Sequence, residues 1–113
     1  YSKRYAQLKS RIQQTTSFLT QAISGAAVSE QEAERITKLI PQLSDTEVTF
    51  EAKLSALDSY FADAIAIAEN NNADFDSALL IMEQSGRGAA NYLDLTEEVS
   101  VKKYDGGYDV SAN

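Results

Sequence analysis

Apolar residues recur along this chain at alternating spacings of four and three, which places them on one side of a helix. Tyr1, Tyr5, Leu8, Ile12, Thr15, Leu19 and Ala22 form one such row; Phe50, Leu54, Leu57, Phe61, Ala64 and Ala68 form a second. A row of this kind is narrow and must be covered by another helix. Two long helices are therefore predicted, with Tyr5, Leu8, Ile12, Leu19, Phe50, Leu54, Leu57 and Phe61 as the interface residues.

The polar and special residues set the limits of these helices. The first is expected over residues 2–24, because Gly25 follows an uninterrupted run and takes left-handed backbone angles without strain. Ser29-Glu30-Gln31-Glu32 reads as a capping box in which Ser29 accepts from the Glu32 amide and Glu32 reaches back to the Ser29 amide. It opens a short helix with Ala33, Ile36, Leu39 and Ile40 on its apolar face. Glu30, Glu32 and Glu34 suit the positive end of that helix, Arg35 and Lys38 suit the other, and Pro41 stops it. Ser44-Asp45-Thr46-Glu47 reads as a second capping box, opening a long Ala-rich helix that ends near Glu69 at Asn70-Asn71-Asn72.

Residues 73–84 are expected to form a short helix capped by Asn72 or Asp74, with Phe75, Leu79 and Met82 on one side; Ser85-Gly86-Arg87-Gly88 breaks it. Beyond it, Val99, Val101 and Tyr104 alternate before Asp105-Gly106-Gly107, followed by Tyr108 and Val110, as in a small hairpin. An isolated two-stranded hairpin is marginal in water, so an extended arm that orders on a partner is preferred. The expected fold is all-α: a helical hairpin or small bundle (long helix, short helix, long helix) over residues 1–84, with a weakly structured C-terminal arm over residues 85–113.

At 113 residues the chain is one domain, and helices with one-sided rows bury little apiece, so oligomerisation or a partner is expected. As the sequence starts at Tyr1 without an initiator Met, a processed product or a piece of something longer is expected. The longest apolar runs, residues 64–68 and 78–82, are far too short to span a bilayer. The first residues lack the pattern of a signal peptide, and a soluble chain is expected.

Cys and His are both absent, which removes disulfides, thiolate chemistry, the most used acid–base residue near neutral pH and the commonest metal ligand. An enzyme is the least expected class, and no cofactor is expected. The net charge of -7 is uneven: residues 1–28 hold Lys3, Arg4, Lys9 and Arg11 and no acid, whereas six basic and seventeen acidic residues follow. This asymmetry suits packing of the first helix beside residues 47–69, and it equally suits ordinary solvation of a helix by long charged side chains. Nucleic-acid binding through the four basic residues is a weaker expectation, because such domains carry a strongly basic total.

Asn72-Ala73-Asp74-Phe75-Asp76-Ser77, with Glu83 beyond, approaches the calcium-loop pattern of oxygen ligands at alternate positions. Ser77 replaces the Gly of the sharp turn, and Gly86 and Gly88 break the helix that should follow. Helix capping is the better use of these acids. Glu97 with Glu98 and Asp105 with Asp109 lack any sign of a cleft to hold them. Gly86-Arg87-Gly88 lacks the Gly-Lys-Ser/Thr of a phosphate loop, and Tyr1, Tyr5 and Tyr60 sit on or beside the apolar rows.

The long helix ending in Ser24-Gly25-Ala26-Ala27-Val28-Ser29-Glu30-Gln31-Glu32-Ala33, the Ile40-Pro41 stop, Ser44-Asp45 and the amphipathic helix from Lys53-Leu54 together resemble a helical module of tailed-bacteriophage virion proteins, including internal and DNA-ejection proteins. The resemblance covers residues 8–69, just over half the chain. It implies a non-catalytic assembly role in the virion, with packing onto further copies and onto a ring-shaped virion partner, and it carries no catalytic residues. The alternative is a secreted or regulatory helical hairpin that binds proteins. That reading is weaker, since the chain has no Trp for the Trp-x-Gly turn and Tyr92 is followed four residues later by Thr96.

Overall fold

A computed structural model describes residues 2–97. The described residues are all-α: α1 (Ser2–Ala26), α2 (Glu30–Lys38), α3 (Glu47–Asn70), α4 (Phe75–Gln84) and α5 (residues 89–97). The expected hairpin or arm beyond residue 97 lies outside them. No described helix is long and apolar enough to cross a membrane.

Local chemistry explains most helix ends, with two corrections. Helix α1 continues through Gly25 to Ala26, and it is Ala27 that takes the left-handed turn at φ 58°. Gly25 instead permits a close approach: a methyl group there would sit 2.5 Å from Asp76 Oδ2 at the start of α4. The second capping box is displaced by two residues. Thr46, not Ser44, caps α3 by accepting the Thr49 amide at 3.1 Å, while Asp45 accepts the Gln42 amide at 2.8 Å and pairs with Lys53 at 3.1 Å. Asp74 caps α4 through the Ser77 amide at 2.8 Å.

Helix α4 is the hub of the packing and touches both α1 and α3. Its Ala78, Leu79 and Met82 are fully buried and meet Leu19 and Ala22 of α1, Ile36 of α2 with Leu39 just beyond it, and Tyr60 of α3 in one core. Burying a side chain of the size of Leu or Met stabilises the fold by about 1.5–3 kcal/mol each. The two long helices were expected to cover each other along their rows. Here α4 stands between their C-terminal halves instead.

The inward side of α3 is also rotated from the expected row. Ala52, Ala56, Tyr60, Ala64 and Ile67 face the core, and Tyr60 is wholly enclosed, with its ring edge-on to Tyr92 at 5.2 Å. The Ala residues let neighbouring helices come close while Tyr60 fills the space that remains. Helix α3 thus carries two apolar sides, roughly 100° apart, that share Leu57 and Ala64.

Residues 89–97, expected within the arm, are helical and belong to the bundle: Ala89, Tyr92 and Thr96 are buried. Gly86 makes the preceding turn at φ 78°.

Candidate protein-docking groove

The first halves of α1 and α3 lie side by side without covering each other. Residues 2–11 of α1 are all exposed. Between the helices runs a groove of ≈ 210 Å³. Leu8, Arg11, Ile12 and Thr15 form one wall and Phe50 and Leu54 the other, while Leu57, Ile40 and Pro41 lie buried at its base. The two rows therefore converge on one feature, and that feature is open.

The eight expected interface residues divide into three groups. Leu8, Ile12, Phe50, Leu54 and Leu57 line the groove. Tyr5 is exposed on α1 beyond the groove's lining residues. Leu19 lies in the core at 1 % exposure, and Phe61 is half-buried in a cluster with Phe18 and Phe75, whose ring centroids are 5.4 to 6.0 Å apart. That cluster joins α1, α3 and α4 one turn beyond Leu57. The outer residues remain accessible: Leu8 is 38 % and Leu54 45 % exposed, against 3 % for Leu57.

Charge flanks the groove unevenly. Arg4 and Arg11, seven residues apart, fall on one side of the apolar row of α1. Glu47, Glu51 and Asp58 follow one side of α3 beyond Leu54. The expected electrostatic pairing of these helices within one chain does not occur: none of Lys3, Arg4, Lys9 and Arg11 makes an ion pair among the described residues, where Lys53 is taken by Asp45. A second groove, of ≈ 330 Å³ between α3 and α5 and walled by Ala52, Ala56 and Leu95, offers mostly small side chains.

A buried polar centre escaped the sequence reading. The Ser29 hydroxyl accepts the Glu32 amide at 3.1 Å, but Glu32 does not reach back. Glu83 takes that place, accepting from the Ser29 amide at 3.1 Å and from its hydroxyl at 2.5 Å. Glu32 turns inward to 1 % exposure and accepts the Ala89 amide at 2.7 Å, capping α5 from a distant part of the chain. Gly88 makes room for it, because a methyl group there would lie 2.9 Å from Glu32 Oε2. Burial pushes the Glu32 carboxyl above its usual 4.5; the Ala89 amide opposes this, the Glu83 charge adds to it, and Arg35 lowers it. The Tyr60 hydroxyl has no hydrogen-bond partner among the described residues, and burial with the Glu32 charge raises its pKa. Tyr92 donates to Asp63, and burial with that carboxylate pushes its phenol up to about 12. Nothing in the sequence around Glu32 separates this long-range cap from an ordinary local one.

The calcium-like segment is dispersed. Asp74 caps α4, Asp76 lies against Gly25, and Glu83 holds Ser29. Among the described residues no three Asp or Glu side chains are grouped so as to hold an ion. Tyr1, Glu98, Asp105 and Asp109 lie outside the described residues. No family model, curated protein or solved structure matches the chain.

Proposed function

We propose that this chain is a non-catalytic assembly module that works by docking helices in the α1/α3 groove, and that it serves as a structural component, an internal or DNA-ejection segment, of a bacteriophage particle. The observation that carries the docking role is the groove itself: Leu8 and Leu54, which the heptad rows mark for burial, are left open. Exposed apolar side chains gathered in one groove are a recurring feature of interaction sites. The virion setting rests on the resemblance over residues 8–69 and extends to a ring-shaped virion partner. The secreted-hairpin alternative fits less well, since it needs two long helices packed against each other along their length, and α4 intervenes here.

Density-gradient purification of phage particles from cells that also make a tagged chain tests this reading. The tag is expected in the particle band, and Leu54→Asp is expected to remove it while the chain stays folded. A wild-type tag that never bands with particles overturns the virion reading. Unchanged incorporation of Leu54→Asp overturns the groove.

A further inference from the structure

We infer that the occupant of the groove is a second copy of this chain, docked as a twofold pair in which α1 of each copy lies along α3 of the other. This rests on the docking reading above and names its partner.

A twofold interface must match itself after rotation. The face around the groove has one basic half, α1 with Arg4 and Arg11, and one acidic half, α3 with Glu47, Glu51 and Asp58. Lys53, which would weaken the acidic half, is neutralised by Asp45 at 3.1 Å. A twofold axis running along the helices lays each basic half on the partner's acidic half. The other simple arrangement, α1 on α1, sets the arginines of one copy against those of the other.

The apolar parts agree with this pairing. Tyr5, Leu8 and Ile12 on α1 and Phe50 and Leu54 on α3 keep the four–three spacing by which side chains of one helix enter the gaps of another. Arg4 and Arg11 share one heptad position, as do Glu51 and Asp58. These flanking positions set partner and orientation in helical assemblies. Within one chain the charges of α1 have no carboxylate partner among the described residues, so docking displaces no existing ion pair of α1.

Sedimentation equilibrium on the full chain at low salt tests the pairing. The wild type is expected at twice its 12.4 kDa mass. Arg4→Glu/Arg11→Glu and Glu47→Gln/Asp58→Lys, all at exposed positions, are each expected to weaken self-association at least tenfold while the chain stays folded. An equimolar mixture of the two variants is expected to restore the dimer, because each basic helix again meets an acidic one. Tighter self-association of Arg4→Glu/Arg11→Glu overturns the arrangement. So does a mixture no tighter than the separate variants. A monomeric wild type overturns the second copy as occupant, and if that monomer still enters particles in a Leu54-dependent way, the docking reading stands with a different partner.

Discussion

The carboxylate of Glu32 on α2 receives the backbone N–H of Ala89 across 2.7 Å, joining two short helices that are 57 residues apart in sequence. An amide donated to a buried charged acceptor contributes about 1.5–3 kcal/mol. Glu32→Ala is expected to lower stability by about that amount, read by urea denaturation, and to speed hydrogen exchange in residues 89–97. An exchange rate unchanged from wild type in α5 would mean that the cap does not hold that helix.

The same residue makes stability depend on pH. Burial raises the folded-state pKa of Glu32 above 4.5, so the folded chain binds this proton more tightly than the unfolded chain. Its contribution is fully present below 4.5 and is lost as the pH rises through the raised value. Glu32→Gln keeps an oxygen acceptor for Ala89 and removes the titration. The melting temperature of wild type relative to Glu32→Gln is expected to rise as the pH falls from neutrality toward 4.5; a flat difference would place the carboxyl in a water-like environment.

Leu54 and Leu57, one turn apart, separate assembly from folding. Leu57 is 3 % exposed, and Leu57→Asp buries an unpaired charge. It is expected to cost more than about 3 kcal/mol and to unfold the chain at moderate temperature in circular dichroism. Leu54 is 45 % exposed, and Leu54→Asp is expected to change stability by less than about 1 kcal/mol. Equal losses at both positions would mean that the groove is closed in solution.

Gly25 and Gly88 both sit against carboxylates, with different consequences. At Gly88 a methyl group meets both oxygens of Glu32, a side chain with no free space to move into. Gly88→Ala is expected to cost about 1–3 kcal/mol. At Gly25 the obstacle is the end of the half-buried Asp76 side chain, which can turn aside, and Ala is favoured over Gly in a helix by about 1 kcal/mol. Gly25→Ala is therefore expected to be near neutral. Thermal melts of the two variants check the contrast.

Tyr60 encloses a hydroxyl with no hydrogen-bond partner among the described residues. Tyr60→Phe removes that buried polar atom and keeps the ring contact with Tyr92, so a gain of about 1 kcal/mol is expected in denaturant. Because burial raises the phenol pKa above 10, the stability tied to the neutral Tyr60 is lost as the pH rises through the folded value. The variant's advantage should accordingly widen in alkaline solution.

Much of this architecture was legible because helix ends are local. Ser29, Pro41, Asp74 and Gly86 act on neighbours within a few residues, and the helices fall close to where those signals place them. The groove was legible for a similar reason: the first halves of the two rows have the right spacing and, among the described residues, nothing covers them. The inward side of α3 was missed because heptad spacing gives weight to Phe and Leu, while the core there is built from Ala52, Ala56 and Ala64 around one large ring. Helix α5 was missed because Ala89, Tyr92 and Thr96 make a thin apolar pattern, and its cap comes from α2.

Synthesis from the N-terminus gives that cap an order in time. When α2 leaves the ribosome, its inward-facing acid has no amide to receive, and enclosing it in that state is unfavourable. Closure around a charged Glu32 is expected to follow the addition of residues 88 and 89. A product ending at residue 84 is expected to hold α2 less firmly, which makes α5 a latch of the bundle.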